Sequence, residues 1–282
     1  MIHRFAIPSL ALGAALLLGG QAARGADRVT FRFAPPLDKT YVATSKMTSD
    51  HPTGRGKSHV NEVEIVSRLR ASRAGQRVQQ TFSVVSAANK MDGGVMENPL
   101  FRVLTGLDMT FAVGPDGQIL DLVNFPELLA QVKKTQPPER VEAASPFLTS
   151  EALLGRRRAA ANPLVSGLAG KTLGIGEASS FPGNVTLPTS ETFPVRYTAT
   201  LKRREKTADC DCVRVDFTAD PVAQTGKPAD YGARARGTAL IDPATMLTWA
   251  LRNEEKITLE QPGAHELMTI SVNVDDSLAP NR

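Results

Sequence analysis

The chain has 282 residues, of which 33 are Lys or Arg and 29 are Asp or Glu. Two of the basic residues and none of the acidic ones fall in the first 26, so the remainder holds 31 against 29, a net of +2. Its interleaved charges exclude the one-signed basic stripe of a nucleic-acid-binding protein. Aromatic residues make up 5%, with one Trp and three Tyr, too few for the two interfacial girdles of a membrane β-barrel.

Residues 1–26 read as a secretory signal peptide. Arg4 supplies the positive start, an apolar run extends from Phe5 through Leu18, and small residues from Gly19 to Ala26 form the exit. The run is shorter than the roughly 20 apolar residues of a membrane-spanning helix, so no transmembrane anchor is expected after cleavage. Cleavage after Gly25 and cleavage after Ala26 both fit. The first cysteine is Cys210, which excludes a lipid-bearing cysteine at the cleavage point. The expected compartment is periplasmic or secreted, and residues 27–282 are expected to form one β-rich domain.

Period-two alternation, the mark of half-buried strands, then recurs along the chain. Val63, Ile65 and Leu69 alternate with Glu62, Glu64, Arg68 and Arg70, and Val78, Phe82 and Val84 alternate with Gln79, Thr81 and Ser83. Further on, Val195, Tyr197, Ala199 and Leu201 make one face, and Val213, Val215 and Phe217 make another. Met268, Ile270, Val272 and Val274 mark the last strand. Turn residues separate these runs at 73–76, 114–117, 242–245 and 261–263. Short turns between alternating strands predict antiparallel pairing.

The middle reads differently. Phe125-Pro126-Glu127 opens a helix with proline at its first position. Leu128, Leu129 and Val132 sit at helical spacing, Lys133 and Lys134 suit its C-terminal end, and Pro137-Pro138 stops it. A second helix is expected over 139–144. A third starts at Thr149 or Ser150 and runs through Leu153, Leu154 and Arg156-Arg157-Arg158. A helical insert over 125–175 thus separates two β halves, 27–124 and 190–282. Thr110–Ile119 and Thr238–Leu247 share a strand, proline-turn, strand pattern. Duplication and the common chemistry of hairpins both account for it.

Few residues carry chemistry. Cys210-Asp211-Cys212 precedes the Val213 strand, and parity turns both thiols away from the face of Val213, Val215 and Phe217. Outside the cytosol the pair favours a disulfide. Two residues apart in a strand means roughly 6.6 Å between Cα atoms, near the upper limit of roughly 6.8 Å for a bridge, so a bridge requires a bend. A small clip, inert thiols and a redox or soft-metal site all remain open. Gly54-Arg55-Gly56-Lys57-Ser58 lacks the leading glycine of a P-loop, since that position is His51. His51, His59 and His265 lack the spacing of a helical zinc site, and no Gly-x-Ser-x-Gly elbow occurs. Adjacent Glu254-Glu255 and Asp275-Asp276 point to opposite faces of a strand and read as solvated strand ends. The Arg156–Arg158 run reads as a wet helix face or a contact for anionic lipid or polysaccharide. No cofactor or metal is expected.

The leader, the early Thr40-Tyr41 strand, the Gly114-Pro115-Asp116-Gly117 turn, the helical middle and the closing hairpins together resemble uncharacterised bacterial cell-envelope proteins of β-rich type. That resemblance implies a fold class and a compartment and transfers no functional residue. The fold expected is mainly β: a curved antiparallel sheet or open barrel-like domain with a central helical insert. A hydrophobic or lipid-like ligand held between sheet and helices is the leading functional expectation, with Leu128, Leu129, Val132, Leu153 and Leu154 lining its pocket. The alternative partner is an envelope protein paired along an exposed sheet edge. An enzyme would rest on Cys210 and Cys212 alone.

Overall fold

The computed structural model describes residues 28–54, 57–186, 191–260 and 267–281. The leader, Arg55, Gly56 and His265 lie outside them. In chain order the elements are β1 (Arg28–Thr30), β2 (Thr40–Gly54), β3 (Lys57–Ala74), β4 (Arg77–Met91), β5 (Gly94–Val95), α1 (Pro99–Leu104), β6 (Asp108–Val113), β7 (Ile119–Leu122), α2 (Phe125–Thr135), α3 (Pro138–Ala144), α4 (Ser150–Ala159), α5 (Pro163–Leu168), β8 (Thr172–Gly174), β9 (Ala178–Thr186), β10 (Thr192–Lys206), β11 (Asp211–Pro221), β12 (Gly232–Ile241), β13 (Thr248–Glu260) and β14 (Leu267–Pro280).

The fold is a curved antiparallel sheet that does not close into a barrel. Its order is β7-β6-β4-β3-β2-β14-β13-β12-β11-β10-β9, with β5 beside β4. Each half is a meander. The first runs outward from the centre to β7, and the second runs inward from β9 to β14. The halves join where β14 pairs antiparallel with β2 from Tyr41↔Pro280 to Asp50↔Ser271.

The helices start where local chemistry favours them. Proline opens α2 after Asn124, with Lys133 and Lys134 in its last turn. The Thr149 hydroxyl accepts from Ala152 N at 3.1 Å and caps α4. Two short helices fall outside the sequence expectation. Both α1 and α5 follow an asparagine cap and begin with proline: Asn98 accepts from Leu100 N and Asn162 from Leu164 N, each at 3.0 Å.

Alternation sorts each strand into an inner and an outer face. The outer face carries cross-strand ion pairs, among them Lys46–Glu64, Lys202–Asp216, Arg236–Glu254 and Arg252–Asp275. All are solvent-exposed, and such pairs contribute only about 0–1 kcal/mol each. The inner face holds two separate cores. One covers the C-terminal half, with Phe31, Leu164, Leu168, Phe193, Leu201 and Ile257 fully buried. The other lies under α1–α4, with Val84, Val103, Leu104, Phe111, Leu128 and Val132. Phe33, on the segment after β1, packs against both.

The outermost strands are blunted. On α4, Arg158 donates to the carbonyls of Ile119 and Leu120 on β7, at 2.9 and 2.6 Å. At the other side, Pro182 interrupts the donors of β9. Among the described residues no helix is long and apolar enough to cross a membrane.

Candidate functional site

Where the two cores meet, the inner face of the central strands is only half covered, with Met47 and Val274 packed against the first core and Ile65 against the second. Register builds one row across five strands: Asn89 on β4, Val63 on β3, Met47 on β2, Val274 on β14 and Asn253 on β13. All five are half-buried. Four strand spacings make the row about 19 Å wide. The next row on one side carries Ile65, Ser45 and Asp276, and on the other Asn61, Ser49, Val272 and Glu255. The strip therefore alternates apolar side chains with amides, hydroxyls and two carboxyls.

Its polar groups are incompletely paired. Asn253 Nδ2 donates to Glu255 Oε1 at 2.6 Å. Within the protein, the buried side-chain oxygens Asn61 Oδ1, Asn89 Oδ1, Asn253 Oδ1 and Asp276 Oδ1 have no hydrogen-bond partner. Leaving such an atom unsatisfied costs about 1–3 kcal/mol. Burial raises the Glu255 carboxyl above the usual range, against the opposing hydrogen bond from Asn253. Burial also raises Asp276, reinforced by the charge of Asp275 and opposed by the Ser45 hydroxyl. The Tyr197 phenol is pushed up by burial, then by Glu255.

At one end of the strip the rings of Tyr41 and Trp249 meet edge to face, 6.0 Å between centroids. With Lys39, Thr40, Pro280 and Asn281 they line an open cleft of about 330 Å³. At the other end, the Ser49 hydroxyl and His51 Nε2 lie 2.9 Å apart. His59, the cross-strand neighbour of His51, pairs instead with Asp92.

The leucine set lies on α2 and α4. Leu128, Val132 and Leu153 are buried in the second core, and Leu129 and Leu154 pack against it partly exposed. Cys210 and Cys212 form a disulfide with 5.3 Å between Cα atoms. The separation is below the extended value because Cys210 lies in the turn before β11, where its N–H bonds the Thr207 hydroxyl at 3.1 Å. Cys212 does oppose Val213 in parity, yet it is completely buried.

Two expectations need correction. Glu255 and Asp276 are not solvated strand ends. They lie within β13 and β14 and face inward, while their neighbours Glu254 and Asp275 pair with outer-face arginines. The arginine run is a wet face only in part, with Arg158 exposed and Arg156 and Arg157 half-buried. Consecutive helical residues point roughly 100° apart, and the three arginines go separate ways. Arg156 stacks on Phe147, Arg157 turns inward over Phe82, and Arg158 caps β7. Sequence reading also missed Asn61, Asn89 and Asn253. For Asn61 and Asn253 the signal is a polar residue on the parity that Val63, Ile65 and Leu251 hold for the inner face; Asn89 has the opposite parity to Phe82 and Val84 and faces inward only because the β3–β4 register shifts between them.

No family model matches the chain, and no curated protein matches it. Among solved structures it is similar to lipovitellin, in a study titled for lipid–protein interactions, at a TM-score of 0.47 and 11% identity. That match covers 86% of this chain and 25% of lipovitellin, so the chain spans a quarter of its length. It is also similar to a putative exported protein with a YmcC-like fold from Bacteroides fragilis, at TM-score 0.27, 9% identity and coverage of 86% and 97%. A DUF1329 family protein from Desulfovibrio piger follows at TM-score 0.20, 10% identity and 86% of each chain. None of these likenesses bears on function.

Proposed function

We propose that the protein is an exported, non-enzymatic binding protein of the cell envelope that holds a hydrophobic or amphiphilic molecule against the inner face of its sheet. One observation carries the reading: where the two cores meet, the row from Asn89 to Asn253 is half-covered and holds unpaired oxygens among apolar side chains. Ligand sites combine such an apolar lining with a few convergent polar groups. The leader supports export. Partnering along a sheet edge has less support, because Arg158 and Pro182 blunt the two outermost strands.

The test is native mass spectrometry of the mature protein purified from its own envelope. A bound mass that denaturation releases is expected, and its loss is expected in Val63→Glu, which places a charge in the middle of the row. A bare monomer mass in the native protein would overturn the reading. Trp249, the single tryptophan, stands at the end of the strip and reports the same event by fluorescence.

A further inference from the structure

Arg157 is a half-buried cation with, among the described residues, no counter-charge. Its guanidinium carbon lies 5.4 Å from the centroid of the Phe82 ring. Nη2 reaches Gln80 Oε1 only at 3.5 Å, the outer limit of a hydrogen bond, and Nε is buried with no partner. Among the described residues it makes no ion pair, whereas Arg158 donates to two carbonyls and Arg156 stacks on Phe147. Burial lowers its pKa to about 10, so it stays charged at neutral pH.

Gln80 and Phe82 belong to the inner face of β4. Phe82 shares a row with Leu69 and Tyr41, two rows or about 13 Å from Ile65 and Ser45 in the strip. The guanidinium therefore stands over one end of the inner-face surface, under the helix layer. A partly desolvated charge without an ionic partner is unfavourable, and a guanidinium fork matches a planar pair of anionic oxygens. One cation, with its neighbouring arginines occupied, suits a singly charged group better than a phosphate dianion.

We propose that Arg157 anchors the carboxylate of a fatty-acid-type ligand whose chain runs along the inner face. This deepens the binding reading above and rests on it. The probes are oleate, oleyl alcohol and acetate, titrated into the delipidated mature protein and followed by Trp249 fluorescence and calorimetry. Oleate is expected to bind at least ten-fold more tightly than oleyl alcohol. In Arg157→Gln, oleate should fall to the level of the alcohol, the alcohol should be unchanged, and the melting temperature should hold or rise. Arg157→Lys keeps the charge without the fork, so it should retain part of the preference, and it serves if the glutamine variant fails to fold. Equal binding of oleate and alcohol by the native protein, or an undiminished preference in both variants, would overturn the anchor while leaving a carrier. Full displacement of oleate by acetate would also overturn it, in favour of a free-anion site. If neither amphiphile binds, the binding reading itself fails, and the anchor with it.

Discussion

Gly167 on α5 and Phe181 on β9 touch so closely that a methyl group on the glycine would stand 2.2 Å from Phe181 Cε2. The helix lies on this strand because position 167 has no side chain. Gly167→Ala should destabilise the protein by about 1–3 kcal/mol, the usual range for overpacking. Chemical denaturation checks this. The penalty should shrink in a Phe181→Leu background, where the ring is gone, and an equal penalty in both backgrounds would place the cost elsewhere.

His59 and Asp92 tie the β4–β5 turn to β3. His59 Nδ1 lies 2.6 Å from Asp92 Oδ2, and Val60 N donates to Asp92 Oδ1 at 2.9 Å. The Val60 N–H, then His59, hold the Asp92 carboxyl below its ordinary value of 3.8. A lowered carboxyl stabilises the fold above its unfolded pKa, and that contribution disappears as pH falls through the folded value. Asp92 also has φ 51°, which asparagine tolerates and alanine does not. Thermal melts at pH 7 should therefore rank native above Asp92→Asn above Asp92→Ala. The gap between native and Asp92→Asn should close in strong acid; a gap that persists there would exclude the charge as its source.

Glu255 and Asp276 have the opposite sign. Burial raises both carboxyls, so the native state binds protons that the unfolded chain has already released, and stability falls as pH rises between the two values. Glu255→Gln and Asp276→Asn should raise the melting temperature at pH 7.5, with the gain fading as the pH is lowered toward the unfolded carboxyl range. A gain independent of pH would point to packing rather than charge.

The strands were legible in the sequence because one face of each is covered. Val195 and Tyr197 on β10, or Ile270 and Val272 on β14, alternate with more exposed residues for that reason. Helices α2 and α4 could be read from a proline or threonine at the start. The six-residue helices α1 and α5 escaped because one and a half turns leave no periodicity, although each opens Asn-Pro. The site was harder. Asn89 and Asn253 lie far apart in the chain and come into one row only after β4, β3, β2, β14 and β13 are set side by side, an order that no local pattern specifies. The Arg156–Arg158 run shows the same limit, since three like residues acquire three roles from what surrounds a turning helix.

The pairing of β2 with β14 bears on how the protein is made. The middle of the sheet joins a strand that begins at Thr40 to one that ends at Pro280. During synthesis or threading across a membrane, β2 emerges early and waits for its neighbour until nearly all of the chain has followed. Contacts of such long sequence separation form slowly, so the strip where the cores meet is assembled last. Until then, β2 presents an open edge, and a helper protein that shields it would act on the nascent chain rather than on the finished fold.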